Sequence, residues 1–115
     1  MPRRISWYHQ VIHEDGEPGK LVSGKHINLD KALILLASLP RTVPGSRGGI
    51  RGFLAEDESF LEFMNIGNDE FQVRYENPKA GIYRMGLLSY QKAREMLTDF
   101  FTGERPRWLN ELEPY

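Results

Sequence analysis

The sequence predicts an α+β domain: an antiparallel sheet of about four to six strands in a meander, with two helices packed on one face. Three observations carry this expectation. Four strand-like runs follow one another between residues 50 and 88, with turn signals between them. Two segments with helical apolar spacing and capping residues flank that block, at 28–40 and 89–103. A chain of 115 residues has surface and volume for one core, so a single domain is expected over 1–115.

In chain order, RISWYHQVIH (4–13) mixes β-branched and aromatic residues and reads as a first strand. Asp15-Gly16 and Pro18-Gly19 then mark a turn, and KLVSGKHI (20–27) reads as a short returning strand. In NLDKALILLASLP (28–40), Asn28 suits a helix cap and Asp30 the positive helix start. Leu29, Ala32, Leu33, Leu36 and Leu39 recur at helical spacing, and Ile34 and Leu35 widen the stripe. So apolar a helix is expected to lie against the sheet, and Pro40 stops it.

RTVPGSRGG (41–49) is loop by composition. Strands follow at 50–56, 59–66 and 70–77, the last alternating cleanly between Phe71, Val73, Tyr75 and Gln72, Arg74, Glu76. A tight turn at Gly67-Asn68-Asp69 joins the second pair, and IYRMGLL (82–88) closes the meander. Ser89 caps the second helix, whose buried stripe is Ala93, Met96, Leu97, Phe100 and Phe101. Gly103 suits the left-handed position that ends a helix, and Pro106 prevents resumption.

Catalytic constellations are missing. The Ser-x-x-Lys of Ser89–Lys92 lacks the partner motifs of penicillin-recognising enzymes, so Ser89 reads as a cap. His9 and His13 share a strand face but stand roughly 13 Å apart, with no recognised third-ligand spacing. GSRGGIRG (45–52) has neither a Walker lysine nor the repeats and aromatics of an RNA-binding tract. There is no cysteine, which removes disulfides and thiolate sites. The expectation is therefore no enzyme, no cofactor and no metal. The start MPRRISWYHQ has no apolar run behind its arginines, and no stretch approaches a membrane span, so a cytoplasmic protein is expected.

Charge is unevenly placed: residues 1–51 carry a net of +4 and residues 52–115 a net of −5. An acidic second half suits a basic partner surface, and Glu56, Asp57, Glu58, Asp69 and Glu70 are the expected contacts. Trp7, Tyr8, Tyr83 and Tyr90 are candidate aromatic anchors, some of which must be core instead. The basic first half, with Arg3, Arg4, Arg41, Arg47 and Arg51, supports the alternative of a small nucleic-acid-binding regulator, against which the near-neutral total charge argues.

The run from SFLEFMNI through EFQVRYEN to LLSYQKAREMLTDFFTGERPRWLNELE resembles the first Imm family, the immunity proteins of bacterial polymorphic toxin systems. The most specific part is the Ser-capped helix with two aromatics at 100–101, followed by Thr102-Gly103-Glu104-Arg105-Pro106 and a short hydrophobic finish. In this chain Trp108 comes earlier after the Arg-Pro pair than is usual in that family. The resemblance implies a non-catalytic inhibitor of a cognate toxin domain, often a nuclease or nucleic-acid deaminase; monomer and homodimer are both open, and no membrane partner is expected. It also implies that the tail is a structural latch, in which Arg105, Pro106, Trp108 and Leu109 fold back over the sheet or helix.

Overall fold

The alternation in EFQVRYEN sets the pattern for the whole sheet. Phe71, Val73 and Tyr75 are buried, while Gln72, Arg74 and Glu76 turn to the opposite face. A computed structural model describes residues 3–115 and shows seven strands: β1 (Ile5–Ile12), β2 (Pro18–Gly24), β3 (Gly48–Ala55), β4 (Phe60–Gly67), β5 (Glu70–Asn77), β6 (Ile82–Leu88) and β7 (Glu113–Pro114). They form one sheet in the order β2-β1-β3-β4-β5-β6-β7, every neighbouring pair antiparallel. Helices α1 (Leu29–Ala37) and α2 (Tyr90–Thr102) pack on one face, as the pattern of the sequence predicts.

Each helix boundary has a local cause. The Asn28 side chain accepts from the Lys31 amide at 2.9 Å, and Ser89 accepts from the Lys92 amide at 3.3 Å. Gly103 ends α2 with φ of 81°, a conformation that costs a residue with a Cβ. Arg3 adds a second lock there, donating to the Phe100 carbonyl at 2.8 Å.

The covered face holds the core. Phe53, Phe63 and Phe101 meet in edge-to-face contacts, with Phe53 6.2 Å from each of the other two. Val73, Leu61, Met96 and Leu97 fill the space around them and are fully buried. Burying each such side chain contributes about 1.5–3 kcal/mol before entropy is set against it.

The structure departs from the sequence expectation in three places. Ile34 is 65% exposed and does not widen the buried stripe of α1. Ala32 and Leu36 point into the core, and Ile34 sits about 200° around the helix from each of them. Gly48 and Gly49 belong to β3, not to the preceding loop. A side chain at either would collide with Thr42 or His9, so the missing Cβ lets neighbours lie across the strand. Finally, the tail supplies a seventh strand: β7 pairs with Arg84 and Met85 of β6.

Candidate functional site

Because both helices lie on one face, the alternate residues of the same strands form a second face that no helix among the described residues covers. Register lines these residues up in three rows. The middle row runs Tyr8, Gly52, Glu62, Arg74, Met85, Glu113 across six strands. One flanking row runs Leu21, Gln10, Ile50, Met64, Gln72, Leu87. The other runs Ser6, Leu54, Phe60, Glu76, Tyr83. The Tyr115 ring extends that last row, packing edge-on to Tyr83 at 6.3 Å.

The middle row is an ionic network. Tyr8 donates its phenol to Glu62, and Arg74 donates to the same carboxylate at 3.2 Å. Tyr8 can reach across β3 only because position 52 is glycine, where a Cβ would overlap the tyrosine ring. Tyr115 donates to Glu76 in the same manner, and Arg74 lies 4.0 Å from that carboxylate. The Arg74 guanidinium also stacks over Phe60 at 5.0 Å, while its buried Nε has no partner among the described residues.

The electrostatics follow from this geometry. Burial and the bond to Glu62 push the Tyr8 phenol well above its usual range. Burial and the bond to Glu76 push the Tyr115 phenol up to about 12. Burial opposes the charge on Arg74, but Glu62 outweighs it and holds the guanidinium above its ordinary value. Both phenols therefore stay protonated donors at neutral pH. Neither has a depressed value that would make it a nucleophile or base.

Around the network the face is apolar and open. Among the described residues, six of the nine exposed large hydrophobic ones belong to it: Leu21, Leu54, Tyr83, Met85, Leu87 and Tyr115. A shallow hollow of about 290 Å³ lies between Ile50, Glu62, Met64, Gln72, Arg74 and Met85. That volume is at the bottom of the range for small-molecule sites, and the hollow is open to solvent, which favours contact with a surface over enclosure of a ligand.

The acidic residues singled out in the sequence do not converge. Glu56, Asp57 and Glu58 lie in the turn before β4, and Asp69 and Glu70 lie beyond its other end. The eight residues of β4 hold the two groups roughly 25 Å apart. Two of the five also have internal duties. Asp57 accepts from Arg3 at 2.9 Å and from the Ser59 amide at 3.0 Å. The Ser59 hydrogen bonds and the Arg3 charge hold its carboxyl below the usual range. Asp69 accepts from the Tyr90 amide at 3.1 Å, at the start of α2. Glu70, alternating with buried Phe71, stands at the rim of the open face, and Glu56 lines a hollow with Ser6 and Leu54.

In the tail, Pro106, Leu109 and Leu112 are buried, and Leu112 packs over Gly86 of β6. Trp108 remains 37% exposed, leaning on α2 with its Nε1 donating to Glu95 at 2.8 Å. The ion pair with α2 comes from Arg107, which clasps Asp99 at 2.9 Å. Arg105 is exposed and forms no ion pair among the described residues.

The other motifs resolve into packing. Arg51 Nε donates to His9 at 3.0 Å, and burial plus the Arg51 charge hold that imidazole low. Among the described residues, no group of His, Asp and Glu side chains is arranged to hold a metal ion. The arginines of the first half are dispersed as well. Arg3 is bound to Asp57, and Arg51 donates to Ser38 beside the end of α1. Arg41 bridges to Asn65, far along β4 from Arg3 and Arg4.

Of the four candidate anchors, Trp7 and Tyr90 pack on the core and Tyr8 and Tyr83 stand on the open face. Sequence reasoning missed the network of Tyr8, Glu62, Arg74 and Glu76, although a signal existed. SFLEFMNI and IYRMGLL are apolar at both strand parities, which a sheet covered on one side does not require. The chain matches no family model, no curated protein and no solved structure. No helix among the described residues is long and apolar enough to cross a membrane.

Proposed function

We propose that this protein is a non-catalytic immunity protein, which binds a bacterial toxin domain of nuclease or nucleic-acid deaminase type and neutralises it. The observation that carries the binding role is the open sheet face, where exposed tyrosine, methionine and leucine side chains surround a fixed ionic network. Aromatic residues, methionine and arginine are the types enriched at protein interfaces. The toxin is inferred from the likeness of residues 59–112 to the Imm proteins. Turnover is not part of the reading, since the sequence carries no recognised catalytic motif. Dispersal of the arginines over both ends of the sheet speaks against a single phosphate-tracking surface.

Co-expression with the C-terminal domain encoded by the gene immediately upstream tests the reading. A complex of nanomolar affinity and rescue of cells from that domain are expected. No complex and no rescue would overturn it.

A further inference from the structure

The charges on the open face are not balanced. On the half formed by β4 to β7, Glu62, Glu70, Glu76 and Glu113 face outward with Arg74 as their one cation among the described residues. Arg84 points to the covered face instead, where it donates to the Leu112 carbonyl at 3.0 Å. Glu70 and Glu113 are exposed at the rim, and Glu62 and Glu76 are drawn inward by Arg74 and the two phenols. The hollow, lined by Ile50, Met64 and Met85 together with Glu62, Gln72 and Arg74, therefore sits among more carboxylates than cations. Methionine side chains adapt to the shape of what enters between them.

We infer that this half of the face docks a basic protein surface, in which an apolar side chain enters the hollow and neighbouring lysines or arginines pair with Glu70 and Glu113. The inference rests on the toxin-binding reading and specifies which surface performs it and what it recognises. Charge complementarity selects the occupant: a second copy would set the same excess of carboxylates against itself, and a nucleic acid would be repelled by it.

The test is calorimetric titration of the full chain with the upstream-encoded toxin domain, at low and at high salt. Glu70→Lys and Glu113→Lys each lower affinity about tenfold, and the double variant flattens the salt dependence, as expected of rim charges. Met85→Asp lowers affinity about thirtyfold or more, as loss of a central apolar anchor does. Ile34→Asp, on the exposed side of α1, leaves affinity unchanged and serves as the control for the other side of the molecule. Unfolding midpoints of all five variants verify that they fold.

A tight complex that ignores the four open-face variants, whether or not it is lost in Ile34→Asp, overturns this inference and leaves the toxin-binding role standing. Sedimentation showing a dimer of the chain that Met85→Asp dissolves gives the face to a second copy, and also overturns it. Failure of the unmodified chain to bind the domain overturns both.

Discussion

Phe63 and Met64 are neighbours in β4, yet they serve different faces. Phe63 is fully buried against Phe53 under the helices, and Met64 lines the hollow on the open side. The same contrast repeats along the sheet, with Val73 against Arg74 and Phe53 against Gly52. Two interleaved sets of residues in one sheet thus carry separate tasks. One set excludes water and sets stability, and the other keeps polar and apolar groups fixed but accessible. The open face, proposed here to bind a partner, could diversify without loosening the core, because strand period two keeps the sets apart.

The largest expected effect comes from substituting across that one-residue step. Phe63→Ala removes a ring from the core and is expected to cost about 3–5 kcal/mol, enough to unfold a marginal domain. Met64→Ala is expected to stay within about 1 kcal/mol. Denaturant unfolding of the two variants checks the contrast. Similar losses in both would mean that the open face is covered in solution, and the division of tasks between the faces would fall.

A smaller effect is expected where the open face relies on an absence. Gly52→Ala places a methyl where the Tyr8 ring crosses β3, so the ring must leave and Glu62 loses its phenolic donor. A cost of about 1–3 kcal/mol is expected, combining overpacking with a lost hydrogen bond. In Tyr8→Ala the space is already vacant, so adding Gly52→Ala there should cost little. A double-mutant cycle with no coupling between the two positions would show that Tyr8 does not lie across Gly52.

These pairs explain which parts of the fold were legible in the sequence. Strands 70–77 and 82–88 and the caps Ser89 and Gly103 are set by local alternation and local backbone chemistry, and they stand where the sequence places them. The network of Tyr8, Glu62 and Arg74 depends on strand register, which local patterns do not encode. Gly52 shows why. Within IRGFLAE it reads only as one more strand residue, and the pairing of β1 with β3 is what reveals that it makes room for a ring. The acidic residues fail in the opposite sense. Glu58 and Asp69 are near in sequence, but a whole strand runs between them. The seventh strand is two residues long, too short to leave a periodic signal.

The smallest effect concerns the phenols, and it separates an open face that is merely exposed from one whose polar groups are held. Tyr8 is raised well above the ordinary phenol value of 10.0, and Tyr115 is raised to about 12. Below pH 10 both phenols are protonated in the folded and the unfolded chain, so their hydrogen bonds contribute in full. Above that pH the unfolded chain releases these protons while the fold retains them, and stability falls as the folded values are approached. Tyr8→Phe removes one such group and should flatten the decline of stability between about pH 10 and 12 relative to the parent chain. Parent and variant differ by this one hydroxyl, so the difference between the two curves isolates the phenol. Parallel declines in parent and variant would mean that Tyr8 is solvated, and that the row from Tyr8 to Arg74 is a mobile surface and not a preorganised one.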